Sequence, residues 1–426
     1  MATPDSLYEI RCPVYGFITV DDWEKEIINQ PAFQRLRRIR QLAWTDQVYP
    51  GAMHTRFEHS LGVMHVATEL YSSIVSRFKE VLKTDLRFDD AGLKREQRLV
   101  RLTALLHDIG HAPFSHAGEE LFPLRDGEDK RYKHKHYSYA IIRNKMRDVI
   151  EDHPFNQNYY LKADEVANLL EGNSRAGRAL VWRELVAGQM DADRIDYLIR
   201  DSIHTGVDYG KFDWRRLVNT IALVAGKEDR GPRLGVSEDG FHAAEGLVLA
   251  RYFMFTQVYF HKTRTAYDVH LKHALAEMLP KGVFSRPDEA GLDDYLRWDD
   301  WRVLGELASG AGGEHGRRLA QRDHFRKVYH TPDSPSRDDL NELKQAREAL
   351  GDLLQAEELA QTSTYKTGVP DIPVVSNNPD ETIKPLSEVS SLVRGLQPVG
   401  KVMLYCRKED VTEAKMRMLA TKGAKG

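Results

Sequence analysis

Residues 102–116, LTALLHDIGHAPFSH, combine an apolar helical run with side chains that can do chemistry. His107 and Asp108 stand side by side at the end of the run, and His111 and His116 follow. Ionisable groups beside an apolar run must be paired, hydrogen-bonded or bound to a metal, because burying an isolated charge is costly. Neutral imidazole and carboxylate are both good ligands for a divalent ion. The stretch therefore predicts that this helix end supplies two ligands to a metal centre.

Two other segments offer further ligands of the same kind. His59 stands at the start of a segment with helical periodicity, and Asp193, Tyr197 and Asp201 recur at i, i+4 and i+8 along one face of a predicted helix. Two imidazoles and two carboxylates suit Mn, Fe, Mg or Zn, and they leave positions for water and a phosphate oxygen. These residue types predict a phosphate-ester hydrolase. The predicted metal ligands are His59, His107, Asp108 and Asp193.

Basic and histidine side chains near these motifs fit the rest of such a reaction. Cations neutralise phosphate charge, and imidazoles transfer protons to a leaving oxygen. Each residue alone has a plainer explanation as a solvated charge or a packing residue, and only the order of the motifs favours one joint site. The phosphate-binding candidates are Arg56, Arg251 and Lys262. The proton-transfer candidates are His111, His116 and His134.

The composition is that of an ordinary globular protein. The chain has 426 residues, with 41% hydrophobic and 29% charged residues, enough for one large or two modest domains. The 61 basic and 64 acidic residues give a net charge of −3, which argues against a general polyanion binder. Cys12 and Cys406 form no disulfide framework or thiolate zinc site, and no apolar run is long enough to span a bilayer. We therefore expect a cytoplasmic protein.

The periodicity along the chain predicts a mainly α-helical protein with small β-hairpins. Residues 7–20 and 218–237 alternate as hairpins do, residues 83–97 are polar and loop-like, and residues 241–279 form one long helical run. Residues 338–358 predict a charged helix, and residues 362–385 a linker or irregular excursion. Residues 399–406 predict a strand, so the last part of the chain is expected to be a mixed α/β lobe.

The motifs together resemble the HD-domain metal-dependent phosphohydrolases, whose pattern is H…HD…D. FQRLRRIRQL, HTRFEHSLGV, LLHDIGHAPFSH, DRIDYLIRD and RYFMFTQVYFHK are similar to the deoxynucleoside triphosphate triphosphohydrolase branch of that superfamily. The resemblance covers about residues 7–280 well and the remainder weakly. It implies an HD-domain helical fold, with residues 1–280 as the catalytic core and residues 281–426 as a helical and α/β lobe for assembly or regulation.

The resemblance also implies a reaction and a role for each matching position. The bond between the 5′ oxygen and the α-phosphorus of a dNTP would be cleaved, giving a deoxynucleoside and triphosphate. The four ligands above would hold a divalent metal, one of the three histidines would act as the acid on the 5′ oxygen, and the three cations would hold the triphosphate. A tyrosine against C2′ and an aspartate on the 3′-hydroxyl would favour deoxyribose. Sugar and base positions are matched by Gln41, Leu42, Tyr197, Asp201 and Tyr259.

Some positions depart from the pattern of the branch. Glu119 stands where an aspartate is common, and Arg194 replaces the lysine that follows the fourth ligand. AWTDQ follows Gln41 and Leu42 where a close relative has glycines, so the base pocket is expected to differ. We expect no room for a sterile-alpha-motif domain before residue 7. The branch implies a homo-oligomer and leaves a nucleotide activator open for this chain.

Two other functions are open at this point. Trp44, within the altered segment, fits an HD phosphohydrolase that acts on nucleoside monophosphates or on cyclic or modified nucleotides. The arginine cluster at residues 35–40 fits a nucleic-acid-binding or partner-regulated protein with a vestigial HD site. The intact ligand set and the near-neutral charge argue against this last function.

Overall fold

The computed structural model describes residues 7–224, 233–362, 371–378 and 382–423. Its first half consists mainly of the helices that carry the histidine motifs. The mainly α-helical fold is confirmed. The helices of the first half are α1 Asp22–Ile28, α2 Pro31–Gln34, α3 Arg56–Thr84, α4 Asp90–Leu106, α5 His134–Asn144, α6 Arg147–Glu151, α7 Ala163–Glu171, α8 Glu184–Ala187 and α9 Ala192–Thr205.

Capping residues determine where α3 and α4 begin, and this decides where their histidines lie. Thr55 and Glu58 form a capping box, so α3 begins at Arg56 and His59 lies in its first turn. Asp89 accepts a hydrogen bond of 2.6 Å from the N–H of Gly92 and caps α4. The prediction of a loop over residues 83–97 is therefore wrong from Asp90 onward, because this cap begins the helix earlier than the apolar run suggests.

The second half alternates helices with short strands. The helices are α10 Trp214–Thr220, α11 Phe241–Phe253, α12 Lys262–Met278, α13 Glu289–Leu296, α14 Asp300–Ala308, α15 Gly313–Ala320, α16 Arg337–Leu350, α17 Leu386–Val389, α18 Ser391–Gly395 and α19 Val411–Gly423. The long helix expected over residues 241–279 is interrupted by a π-helical turn, Met254–Tyr259. His261 then adopts an extended conformation and caps α12. Such turns often mark functional sites.

The strands form three small sheets. They are β1 Tyr8–Cys12, β2 Gly16–Val20, β3 Ile221–Val224, β4 Arg233–Ser237, β5 Arg326–His330, β6 Ala356–Thr362, β7 Pro373–Val375, β8 Lys384–Pro385 and β9 Val399–Cys406. β1 and β2 form the expected antiparallel hairpin, with Tyr8 opposite Val20. The other sheets have the orders β3-β4-β7-β8 and β5-β9-β6. The mixed α/β character of the C-terminal part is thus confirmed.

Two further boundaries differ from the sequence prediction. The charged helix ends at Leu350 rather than near residue 358, because Gly351 has a φ of +50° and β6 then pairs with β9. The stretch expected to be irregular, residues 362–385, contributes β7 and β8 to a sheet with β4. Part of that prediction, at residues 363–370 and 379–381, lies outside the described residues.

One large hydrophobic core contains most of the helices. It includes side chains from Cys12 in the first hairpin to Val393 in α18, while the β5-β9-β6 sheet packs with α16 and α19 around a smaller core. Buried residues of α13, α14 and α15, such as Tyr295, Val303 and Leu319, belong to the large core. No helix among the described residues is long and apolar enough to cross a membrane.

Candidate metal centre and substrate cavity

The four predicted metal ligands converge from three helices. His59 comes from α3, His107 and Asp108 from the end of α4, and Asp193 from the first turn of α9. Nε2 of His59 lies 3.2 Å from an oxygen of Asp193 and 3.5 Å from one of Asp108. Nε2 of His107 lies 3.3 Å from an oxygen of Asp108 and 3.8 Å from one of Asp193. The tertiary structure thus brings together all four residues that the sequence singled out.

His59 and His107 each use Nδ1 for a hydrogen bond and leave Nε2 without a hydrogen-bond partner. Nδ1 of His59 lies 2.8 Å from a carboxylate oxygen of Asp196, and Nδ1 of His107 lies 2.7 Å from the carbonyl of Ala104. Because these partners only accept, each Nδ1 carries the hydrogen. The buried Nε2 atoms then present lone pairs to carboxylate oxygens and have no hydrogen-bond partner. This arrangement of acceptors facing acceptors fits a divalent cation.

The electrostatics of the centre favour positive charge at its middle. Burial alone would lower the pKa of His107, but the carboxylates of Asp108 and Asp193 outweigh burial and raise it to about 10. Burial opposes ionisation of Asp108, yet His107 and Arg56 hold the pKa of this carboxyl well below its usual range. The carboxylates that favour a proton on His107 would equally favour a divalent cation, which would displace that proton and leave the imidazole neutral as a ligand.

A buried ion pair orients the first ligand. Arg200 donates two hydrogen bonds of 2.8 Å to Asp196, and Asp196 accepts from His59. A Cβ at Gly62 would lie 1.9 Å from an oxygen of Asp196, so only glycine lets α3 approach α9 this closely. Outer carboxylates of this kind fix the tautomer and orientation of a ligating histidine.

A second group of donors lies beside the metal centre. Glu119 accepts hydrogen bonds from Nδ1 of His116 and, at 2.9 Å, from Nδ1 of His134. The rings of His111 and His134 stack with their centroids 3.9 Å apart. Despite burial, His134 and His116 hold the pKa of Glu119 well below its usual range. Glu119 thus remains ionised and directs Nε2 of both partner histidines away from itself.

A strained loop connects the histidine group to the rest of the site. Phe114 and Ser115 have φ values of 55° and 57°, in the left-handed region that non-glycine residues rarely adopt. Ser115 accepts a hydrogen bond of 2.8 Å from Arg56, which also donates to Asp108. Asp300 accepts from the N–H of Phe114 at 2.7 Å and so holds the loop from the side of α14.

These groups line one cavity of about 570 Å³. Of the predicted residues, those that line it are Gln41, Leu42, Arg56, His107, Asp108, His111, His116, His134, Asp193, Arg194, Tyr197, Asp201, Arg251 and Tyr259. His59 lies behind this lining and is completely buried, as expected of a ligand. Glu119 acts from behind the histidines that it contacts.

One predicted cation lies elsewhere. Lys262 is not among the lining residues; it begins α12, and its carbonyl accepts a hydrogen bond of 3.1 Å from the hydroxyl of Tyr405. Arg264, half a turn further along α12, lines the cavity. The phosphate-binding role given to Lys262 stays a prediction, with Arg264 as the cation that the fold places at the cavity.

Sequence reasoning also did not single out three further residues of the cavity. Phe255 and Phe260 come from the π-turn and the residue after it, and Gln361 comes from β6 in the C-terminal part of the chain. The π-turn leaves no trace in hydrophobic periodicity, and Gln361 is separated from the motifs by long stretches of sequence. The signal available was the clustering of aromatic residues in RYFMFTQVYF.

Comparison with known proteins agrees with this geometry. Residues 56–201 match the family described as HD domain, and residues 212–417 match the family described as HD associated region. An uncharacterized protein of Methanocaldococcus jannaschii is 31% identical over 421 residues, which cover 95% of this chain and 80% of that protein. The chain belongs to the HD-domain superfamily, and its class is that of a metal-dependent phosphohydrolase.

Named relatives and solved structures refine this placement. The deoxynucleoside triphosphate triphosphohydrolase SAMHD1 homolog of Dictyostelium discoideum is 31% identical over 267 residues, which cover 62% of this chain and 48% of that protein. A hypothetical protein from Aquifex aeolicus has a TM-score of 0.78 at 28% identity, with 97% of this chain and 100% of that one covered. A phosphohydrolase from Bacteroides thetaiotaomicron has a TM-score of 0.69 at 26% identity, covering 95% of this chain and 100% of that one. The chain resembles the dNTPase-like branch, as its motifs predicted.

Proposed function

We propose that this protein is a metal-dependent deoxynucleoside triphosphate triphosphohydrolase. The observation that carries the proposal is one cavity lined by candidate metal ligands, by several arginines and by the tyrosines beside Asp201. The branch of the superfamily that the motifs resemble favours the same substrate.

The arginines suit a polyphosphate. Arg56, Arg194, Arg251 and Arg264 all line the cavity. Guanidinium groups bind phosphate oxygens through two hydrogen bonds at a fixed geometry, which orients the chain of phosphates as well as neutralising it. We infer that these residues hold the triphosphate with its α-phosphorus toward the four ligands.

His59, His107, Asp108 and Asp193 would hold the metal ion. When bound, a divalent metal polarises the phosphoryl group and lowers the pKa of a water molecule. The chain's own contribution is to orient these ligands, through Asp196 and the carbonyl of Ala104, and to keep the centre buried. Arg56 donates to Asp108 and keeps that carboxylate oriented toward the centre.

The histidine group suits proton transfer to the departing 5′ oxygen. Glu119 accepts Nδ1–H from His116 and from His134, so each ring is able to hold a second proton at Nε2. His111 packs against His134 and, buried beside Arg56, has its pKa lowered well below the usual value. Burial also lowers the pKa of His134, but there the carboxylate of Glu119 opposes the shift. We infer that His116 or His134 is the acid and that Glu119 orients it.

The far end of the cavity suits a deoxyribose and a base. Tyr197 and Asp201 follow Asp193 along one face of α9, and all three line the cavity. The ring of Tyr197 would pack against C2′, where a hydroxyl would collide with it, and Asp201 would accept from the 3′-hydroxyl. Gln41 and Leu42 lie at the same cavity and would contact the base.

Product analysis by anion-exchange chromatography tests the proposal. The protein, loaded with Mn²⁺, is incubated with each dNTP and with an equimolar mixture, in each case with and without GTP as an activator. We expect triphosphate and deoxynucleoside, loss of both products in Asp108→Ala, and retained activity in the exposed control Asp129→Ala. Absence of triphosphate from every substrate would refute the proposed activity and leave the HD class unchanged.

The two other functions receive less support. The indole of Trp44 stacks on Phe114 at 4.5 Å and does not line the cavity, so it gives no reason for a monophosphate or cyclic-nucleotide substrate. In the arginine cluster, Arg38 pairs with Asp299 and Arg40 with Asp46. Arg35 is buried as well, so Arg37 is the exposed arginine of the cluster, and one such charge gives little support to a nucleic-acid surface.

The remaining predictions concern assembly and location. We propose a cytoplasmic homo-oligomer in which the C-terminal lobe, residues 281–426, contributes to assembly or regulation. Both cysteines, Cys12 and Cys406, are free and buried, which agrees with a reducing compartment. Whether a nucleotide activates the enzyme is tested by comparing the reactions with and without GTP in the experiment above.

A further inference from the structure

His54 is a buried histidine that neither the motifs nor the metal centre accounts for. Its side chain is completely shielded from solvent, and its Nε2 lies 2.7 Å from an oxygen of Asp201. The other oxygen of Asp201 accepts a hydrogen bond of 2.6 Å from the hydroxyl of Tyr259. His54 itself does not line the cavity, whereas Asp201 and Tyr259 both do. Its side chain therefore reaches the cavity through Asp201, while its carbonyl accepts a hydrogen bond of 3.0 Å from the N–H of Gln41, a second lining residue.

The fold holds His54 in place from two directions. Its ring stacks on that of His204 at a centroid distance of 4.3 Å. A Cβ at Gly51 would lie 2.5 Å from the carbonyl oxygen of His204, so the turn before His54 packs directly on the end of α9. Residues 147 positions apart in the sequence are thus brought into one hydrogen bond.

The chemistry of Asp201 limits what it can contact in the substrate. An ionised carboxylate only accepts hydrogen bonds, and beside phosphates it would repel their charge. It also lies two turns of α9 from Asp193, about 12 Å along the helix axis. Within the proposed function, its partner in the substrate must therefore be a hydroxyl of the sugar rather than the triphosphate.

Each oxygen of this carboxylate has two acceptor positions. His54 occupies one on the first oxygen, and Tyr259 occupies one on the second. Asp201 lines the cavity, and these two donors determine how its carboxylate is oriented there. Among the described residues, His54 provides the one side-chain hydrogen bond to the first oxygen of Asp201. Without it, the carboxylate would be free to rotate.

We propose that His54 is a positioning residue that orients Asp201 to recognise the 3′-hydroxyl of the sugar. This inference rests on the proposed nucleotide triphosphohydrolase function. It predicts that His54 matters for substrates that carry a 3′-hydroxyl and is almost without effect on substrates that lack one. A residue that only stabilised the fold would affect both equally.

The test compares kcat/KM for each dNTP with that for the matching 2′,3′-dideoxynucleoside triphosphate, using the Mn²⁺-loaded full chain. The wild-type protein is expected to prefer the dNTP. His54→Phe keeps the stacking and removes the donor, and should lower kcat/KM for the dNTP about tenfold, the usual effect of one hydrogen bond to a charged group. The dideoxy substrate should be cleaved as by the wild type.

Two further variants separate positioning from folding. His54→Gln retains an N–H donor and should recover most of the preference for the 3′-hydroxyl. His204→Phe keeps the stacked ring without touching Asp201 and should leave the preference unchanged. Thermal denaturation of each variant identifies any that fails to fold, and in that case the wild-type preference and His54→Gln still test the proposal.

Each outcome decides between the proposals. Equal losses on both substrates in His54→Phe, or no wild-type preference for the 3′-hydroxyl, would overturn the role of His54 and leave the triphosphohydrolase function standing. Cleavage of neither substrate by the wild-type protein would overturn the proposed function and, with it, the inference that depends on it. A selective loss that His54→Gln recovers supports both.

Discussion

Replacement of the buried Asp300 by asparagine should remove a pH dependence from the stability of this protein. Asp300 comes from the first turn of α14, and its carboxyl accepts the N–H of Phe114 at 2.7 Å and the N–H of Arg40 at 2.8 Å. It is 1% exposed, so solvent does not screen it. Burial raises the pKa of Asp300 to about 7, although both N–H groups oppose the shift.

The sign of the effect follows from proton linkage. The folded protein holds the proton of Asp300 more tightly than the unfolded chain does, whose carboxyl has its ordinary pKa of 3.8. The stabilising contribution is therefore complete below pH about 4 and is lost as the pH rises to about 7. At roughly 1.4 kcal/mol for each pKa unit, the loss is about 4 kcal/mol in total and about 3 kcal/mol between pH 5 and 8.

The assay is chemical denaturation from pH 5 to pH 8 at constant ionic strength. The free energy of unfolding of the wild type minus that of Asp300→Asn should fall by about 3 kcal/mol across this range, because asparagine does not titrate. Asp294→Asn, at an exposed carboxyl that pairs with Arg297, is the matched control and should follow the wild-type profile. Parallel profiles for the wild type and Asp300→Asn would refute the reasoning.

Three other substitutions test the site. Asp196→Asn should weaken metal binding about 10- to 100-fold, because His59 loses its ionised partner, and should also lower stability, because buried Arg200 loses its counter-charge. Titration of the folded variant with a competing chelator measures the affinity, and unchanged affinity would contradict the role. Glu119→Gln should lower kcat more than it raises KM, since it removes the acceptor that orients His116 and His134, and an equal change in both would argue for a binding role. Gly62→Ala should destabilise the protein by about 1–3 kcal/mol through overpacking against Asp196. Gly305→Ala on α14, where nothing lies near the added Cβ, is the control and should stabilise the protein slightly. Thermal denaturation of both variants measures the two effects.

The sequence by itself identified the class of protein and the four candidate metal ligands that the fold brings together. An imidazole and a carboxylate at the end of an apolar helix are already adjacent in the chain, and Asp193 and Asp201 share a face by helical periodicity. Such local relations need no knowledge of packing, because one helix fixes them. The motif order then identified the branch that the comparisons support.

Only the tertiary structure decided how these donors are held and what else reaches the cavity. Asp196 behind His59, Asp300 behind the strained loop and His54 behind Asp201 are contacts between residues 137, 186 and 147 positions apart. The same applies to Arg264, which lines the cavity because of where the π-turn leaves the start of α12. Sequence periodicity reports the face on which a side chain lies, whereas its partner is determined by which elements pack together, and that depends on burial across the whole chain.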